Sequence, residues 1–220
     1  MCCRFFLETS PELRPYLEAA QHSAYAKAVS ERTGRPLVLA GEVRPSDLVP
    51  VLATSRASSP GVFPMIWGFS VPGQKGALFN ARSETASVKP AFRDAWDSRR
   101  CVIPASWYYE WEHIRSASGK DRTGSRYRLK PKDSCVAYLA GLYRFEERNG
   151  AEVPVFTVLT REPSEEIRFL HDRMPVILPP DLISSWIDPS GQPEAILSSA
   201  LTELSFEKCG NPDCSHPLDS

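Results

Sequence analysis

Trp107-Tyr108-Tyr109-Glu110-Trp111-Glu112 sets four aromatic rings and two carboxylates in six consecutive positions. Side chains alternate across a strand, so this run puts Tyr108, Glu110 and Glu112 on one face and Trp107, Tyr109 and Trp111 on the other. Glu110 then either lies among aromatics, where lost solvation lifts its carboxyl toward a useful acid–base range, or is the solvent-facing residue of an edge strand. The run alone leaves both open. Before it, Arg99-Arg100-Cys101-Val102-Ile103-Pro104-Ala105 leads in; after it, His113 to Ser125 is polar and rich in Gly and Ser, an expected exposed loop. Strand-like patterning returns in Arg126–Lys130, Cys135–Tyr143 and Val153–Thr160, with a charged turn from Glu146 to Gly150. Arg126 and Arg128 share a face, a phosphate stripe or simply a solvated one.

Toward the amino terminus, Ser10-Pro11-Glu12 reads as a helix start, and Leu13, Leu17, Ala20, Ala24 and Ala28 continue it at helical spacing to a stop at Gly34. Leu37–Ala40 and Leu48–Leu52 are short apolar runs bounded by Gly41, Pro45 and Ser46. Ser55–Gly61 reads as a hairpin tip before Phe63–Phe69. In Leu78-Phe79-Asn80-Ala81-Arg82-Ser83-Glu84-Thr85 an apolar strand end runs into polar residues, and Lys89–Trp96 reads as helix. A short helix from Pro163 to Leu170 precedes His171-Asp172-Arg173-Met174-Pro175 and the apolar Val176–Leu178. His171 there is a candidate acid–base group near neutral pH. Leu182–Leu204 reads as helix in pieces. Cys209, Cys214 and His216 lack the spacing and the fourth ligand of a zinc site, so the expectation is a loose tail, no metal and no cofactor. The chain divides into a single domain over 1–208 and a tail over 209–220.

The totals narrow the function classes. The 220 residues are 42% hydrophobic and carry 26 basic against 27 acidic side chains, a net charge of -1. That excludes a global electrostatic pull toward nucleic acid; binding of that kind needs a local patch. No apolar run approaches the roughly 20 residues of a membrane span, and the start is too short for a signal peptide, so a cytoplasmic, non-membrane protein is expected. Six scattered cysteines are expected to be reduced thiols. No glycine-rich phosphate loop, H-E-x-x-H or G-x-S-x-G appears.

Met1-Cys2-Cys3-Arg4-Phe5 carries a different chemistry. Removal of Met1 leaves Cys2 with an amine and a thiol on adjacent carbons, ordinary pKa values about 8 and 8.5. The pair can attack one aldehyde carbon twice, the amine forming an imine and the sulfur closing a five-membered thiazolidine. No internal cysteine has that arrangement.

Met-Cys-x-Arg, Trp-Gly, Asn-Ala-Arg-x-Glu-Thr, Arg-Cys-x-Ile-Pro-Ala with Tyr-x-Glu-Trp, and His-Asp-Arg-Met-Pro, in this order from Cys2 to about Leu178, resemble the SRAP (SOS response-associated peptidase), or abasic-site processing, family. The resemblance implies an α+β fold, a curved, partly closed, mainly antiparallel sheet of barrel-like form flanked by helices. It implies covalent capture by Cys2 of the ring-opened abasic site in single-stranded DNA, after a self-processing step that removes Met1. Asn80 would orient the Cys2 amine, Glu110 would shuttle protons, and His171 would protonate the opening sugar and assist β-elimination or crosslink reversal. Arg4, Arg82 and Arg173 would hold phosphates, and Trp67 would offer an aromatic surface to the bases. The partner is abasic single-stranded DNA, and the protein is expected to be a monomer. Two departures stand out. Cys3 replaces a usual Gly, and Gly41–Asp47 stands where many members carry Asn-x-Ala-Pro. Two other readings fit the residues: an N-terminal-nucleophile peptidase acting on peptides in trans, and a noncovalent single-strand binder.

Overall fold

The computed structural model describes residues 3–55, 57–73, 76–114, 122–148 and 150–210. Five strands close a ring: Leu48–Thr54, Pro60–Trp67, Ala151–Arg161, Ala137–Arg148 and Arg100–Ala105, the last pairing back to the first. Four of the five seams are antiparallel; the seam between Pro60–Trp67 and Ala151–Arg161 is parallel, pairing Val155 with Ile66 and Phe156 with Trp67. Closure removes the edges at which an open sheet would pair with other chains. Gly141 permits the tight wall, because a Cβ there would lie 2.7 Å from Ile103 Cδ1 and 2.8 Å from the Thr157 carbonyl oxygen. The expected barrel-like α+β architecture is present.

A second sheet, antiparallel throughout, runs in the order Leu204–Cys209, Arg122–Pro131, Trp107–Ile114, Arg4–Leu7, Gly41–Val43. Phe5 and Leu7 are buried on its inner face, continuous with the core. On the outer face, Phe6 stacks on Trp107 with centroids 4.5 Å apart. The amino-terminal strand thus lies between two others, held by hydrogen bonds on both sides. That is how the start of the chain gains a fixed position.

Several boundaries differ from the sequence reading. The single helix expected from Ser10 is two helices, Arg14–Gln21 and Ala24–Thr33. Ser23 is extended, and its side chain caps the second by accepting the Ala26 N–H at 3.3 Å. Pro15 falls in the first turn, where a missing N–H costs no hydrogen bond. Gly34 stops the second helix at φ 64°, in the left-handed region glycine favours. The loop expected from His113 begins later, because the strand continues to Ile114 and its partner starts at Arg122. The charged turn is shorter than expected, since the flanking strands run to Arg148 and from Ala151.

At the carboxyl end, Leu204–Cys209 is a strand that pairs Cys209 with Arg126. Cys214 and His216 lie outside the described residues. Buried Arg100 ties the preceding helices to the barrel, donating to the carbonyls of Trp186 at 2.8 Å, Trp96 at 2.7 Å and Gly191 at 3.1 Å, and also to that of Asp188. Among the described residues no helix is long and apolar enough to cross a membrane.

Candidate active site

The strand Trp107–Ile114 decides where the chemistry sits. Its register against the first strand pairs Arg4 with Tyr109, and one residue further back Cys3 stands across from Glu110. Glu110 is 4% exposed, so it is the buried carboxyl and not the solvent-facing one. Burial, first among the causes, holds its pKa above the ordinary carboxylate value, and the charge of Asp172 pushes the same way. The Trp111 N–H donates to Glu110 Oε1 at 3.3 Å.

Asn80 arrives from another direction. Its strand, Asn80–Arg82, runs parallel to Ala151–Arg161 and pairs Asn80 with Val158. The preceding carbonyl, that of Phe79, accepts the Trp67 indole N–H at 2.8 Å and the Val158 N–H at 3.0 Å, which fixes the strand's height on the barrel. The Asn80 side chain stands close enough to the Cys3 thiol to favour its ionised form slightly. That thiol's pKa is raised, chiefly by burial and further by the charge of Glu110, so Cys3 stays protonated at neutral pH and is a poor nucleophile. Cys2 and Met1 lie outside the described residues.

His171 follows the turn that ends at Leu170, whose carbonyl accepts the His113 N–H at 2.9 Å. The two imidazoles pack with centroids 4.2 Å apart. Burial, joined by the positive surroundings of His113 and Arg173, lowers the His171 pKa to about 4 against the pull of Asp172. The ring is therefore neutral at neutral pH, and the reading of His171 as an acid titrating there is corrected: it is a base or a neutral hydrogen-bonding group. Its Nδ1 accepts the Arg173 N–H at 3.0 Å, and lies 2.5 Å from Asp172 Oδ1, which takes the proton's partner role when the ring is charged.

The arginines divide. Arg82 is exposed at the rim of a cleft of about 1000 Å³ that is also lined by His113, Arg168, Phe169, His171 and Arg173. Arg173, in contrast, is committed to a two-pronged pair with Glu84, at 2.9 and 2.7 Å, and to the Thr160 carbonyl at 2.6 Å. Arg4 pairs with Glu42, which also receives Arg126 at 3.0 Å, and sits over Trp111 at 5.9 Å. Burial opposes ionisation of Glu42, yet Arg4, Arg126 and Arg44 outweigh it and lower its pKa. Trp67 is 0% exposed, stacked on Phe156 at 5.9 Å and tilted against Phe5 at 5.3 Å. No face of Trp67 is open to a base, so the expected aromatic surface is replaced by a core pillar beneath Asn80.

The sequence reading passed over Glu42 and His113, and its two readings of Arg126, a phosphate stripe or a solvated face, both give way to a buried residue paired with Glu42. Only His113 had a local signal, as the continuation of the alternating run; the Glu42 pairs join residues 38 and 84 apart in the chain. Among the described residues no group of three or more His, Cys, Asp or Glu is placed to hold a metal ion. A larger cavity, about 1270 Å³, lies between Tyr25, Met65, Asp94 and Tyr143; none of the motif residues lines it, whereas Arg82, His171, Asp172 and Arg173 line the smaller cleft.

Fold and site together define a β-barrel protein whose first strand holds Cys3 beside a buried carboxyl and an asparagine, with a neutral histidine in the neighbouring cleft. The chain belongs to the SOS response associated peptidase (SRAP) family, whose model matches residues 1–209. It is 38% identical over 141 residues to the abasic site processing protein YoaM of Bacillus subtilis, a match covering 61% of this chain and 60% of that protein. With the abasic site processing protein YedK of Escherichia coli it shares 28% identity over 126 residues, covering 56% of this chain and 54% of that one. The matched stretch thus spans about three-fifths of the first and about half of the second. Among solved structures, a protein from Bacteroides thetaiotaomicron superposes with a TM-score of 0.73 at 20% identity, over 96% of this chain and 93% of that one. A phage-related protein from Bordetella bronchiseptica gives 0.68 at 23%, over 96% and 95%. These two establish likeness of fold.

Proposed function

We propose that this protein captures abasic sites in single-stranded DNA covalently through Cys2, once Met1 has been removed by self-processing. The observation that carries the reading is the buried Glu110, its pKa raised by burial, across from Cys3 near the start of the chain. The Cys2 amine adds to the aldehyde carbon of the ring-opened sugar, and Glu110 gives the proton with which the hydroxyl leaves as water. The Cys2 sulfur then adds to the imine carbon while the nitrogen takes a proton, closing the thiazolidine with no net redox change. His171, neutral, serves as the base that accepts a sugar proton in β-elimination or in reversal. Asn80 positions the first residues, and Arg82 meets a phosphate at the rim. Cys3, with its raised pKa, does not compete for the aldehyde. The names of the curated relatives support the substrate, and the reading includes a monomer acting in the cytoplasm.

Intact mass tests it, taken before and after incubation with a single-stranded oligonucleotide bearing one abasic site. The expected result is a protein lacking Met1 and one adduct of oligonucleotide mass less one water. Cys2→Ala should abolish the adduct and leave noncovalent binding within about twofold. An adduct that persists in Cys2→Ala sinks the proposal. Turnover of added peptides without an adduct would select the peptidase reading, and salt-sensitive binding with no preference for abasic strands the noncovalent one.

A further inference from the structure

The inner face of the second sheet does not end at Glu110. Glu110 pairs with Tyr127 and Tyr127 pairs with Lys208, so the three side chains stand in a row on one face across three strands. The adjacent row is Tyr108, Leu129 and Phe206. Tyr108 and Leu129 are each 1% exposed, whereas Phe206 is 40% exposed. Phe169, 48% exposed, comes down beside them and meets Tyr127 edge-on at 5.8 Å and Phe206 at 5.7 Å, while Tyr127 and Phe206 are 6.3 Å apart. Three rings in mutual contact, two of them open to solvent, therefore form one apolar shelf starting a single strand away from Glu110.

The shelf is continuous with the candidate site. Phe169 lines the same cleft as His171, Arg82 and Arg168, and Lys208 stands exposed at the far end of the row. Cations beside aromatic rings suit a partner with alternating phosphates and π-faces. Two interstrand steps separate Glu110 from Lys208, on the order of 10 Å, room for about three stacked base steps. We propose that Tyr127, Phe169 and Phe206 are a base-stacking shelf for the unpaired nucleotides on one side of the position that reaches Glu110, with Arg168 and Lys208 on their phosphates. This rests on the reading of the cleft as a site for single-stranded DNA, and adds how the strand is held beside the damaged position. A residue without a base offers nothing to stack, so its neighbours must carry the aromatic contacts.

The test uses an intact single strand in which a stable tetrahydrofuran residue replaces the abasic sugar and 2-aminopurine is placed at each neighbouring position in turn. Binding should quench the fluorophore at two or three consecutive positions on one side only. A Phe169→Leu/Phe206→Leu variant keeps the apolar packing and removes the π-faces; it should lose that quenching and bind about tenfold or more weakly. Phe169→Trp/Phe206→Trp should keep both. The shelf is overturned if the leucine variant binds and quenches like the parent, if the parent does not bind the strand, or if light scattering shows the two rings joining two copies of the chain. Quenching with no covalent adduct on a true abasic strand would leave the shelf standing and remove the capture reading.

Discussion

A carboxyl group that is 4% exposed and stands across from Cys3 costs stability whenever it ionises. The folded state raises the Glu110 pKa through burial, so between the ordinary carboxylate value and the raised one it binds more protons than the unfolded chain. Its contribution is therefore present at low pH and lost as pH rises through that window. His171 has the opposite sign: with a pKa lowered from 6.5 to about 4, its contribution is intact above 6.5 and lost as pH falls toward about 4. Two groups pulled apart in this way can divide the donating and accepting of protons at one pH. Glu110→Gln should then raise Tm at pH above neutrality by about 3 °C, because no charge has to form in the buried site. The same variant should slow crosslinking by about 100-fold or more and flatten its pH dependence. Thermal melts and crosslinking rates across pH decide this; a less stable variant with an unchanged rate profile would make Glu110 a structural residue.

At the scale of the element, the height of the Asn80 strand depends on a glycine. Gly68 has φ 120°, and a Cβ there would lie 2.7 Å from Phe79 Cε1 and 3.0 Å from Ala77 Cβ. Phe79 cannot retreat easily, because its carbonyl holds both the Trp67 indole and the Val158 N–H, and Asn80 is the next residue. Gly68→Ala should cost about 2 kcal/mol, a fall in Tm of about 4–8 °C, and should slow crosslinking at temperatures where the protein is fully folded. Gly73→Ala is the control, with φ 74° but nothing within 4 Å of the added methyl: it should cost less and leave the rate alone. Equal effects of the two would assign the loss to backbone strain. The same neighbourhood shows what the sequence could and could not convey. Alternation and turn residues marked the strands from Trp107 to Thr160, and ordered motifs gathered Asn80, Glu110 and His171. The inward direction of Trp67 comes from the parallel register with Phe156, 89 residues away, which no local pattern records. The break at His22-Ser23 is hidden because Ala24 and Ala28 continue the spacing of Leu13, Leu17 and Ala20, although the second helix in fact buries Ala26 and Val29. Leu204–Cys209, short and alternating imperfectly, was lost among the helical pieces before it.

For the whole molecule, the question is how a chain with a net charge of -1 holds a polyanion. Counting arginines in motifs overstates the answer. Arg4, Arg44 and Arg126 share the single charge of Glu42, and Arg173 is matched by Glu84, so four cations near the site arrive with two of their charges already balanced. The pair of Arg173 with Glu84 outweighs the burial that opposes ionisation and keeps Glu84 charged, its pKa lowered. Opening such pairs to bind a phosphate would trade one charge-assisted contact for another. The cations left to the strand are exposed ones: Arg82 at the rim and Lys208 along the proposed shelf, with Arg168, whose pair with Glu165 at 2.8 Å is solvent-exposed and worth little, as a third. Each phosphate neutralised on a single strand contributes about 0.7 to the slope of log K against log salt. Two or three contacts predict a slope of about -1.4 to -2.1, shallow for a nucleic-acid-binding protein, with specificity left to aldehyde chemistry and stacking. Arg82→Ala should remove about 0.7 from that slope and weaken binding equally for intact and abasic strands, while Arg173→Ala should act mainly through stability. Anisotropy titrations of an intact labelled strand between about 50 and 200 mM salt measure it. A slope of about -4 or steeper would mean that the Glu42 and Glu84 pairs open on binding and lend Arg4 and Arg173 to the backbone after all.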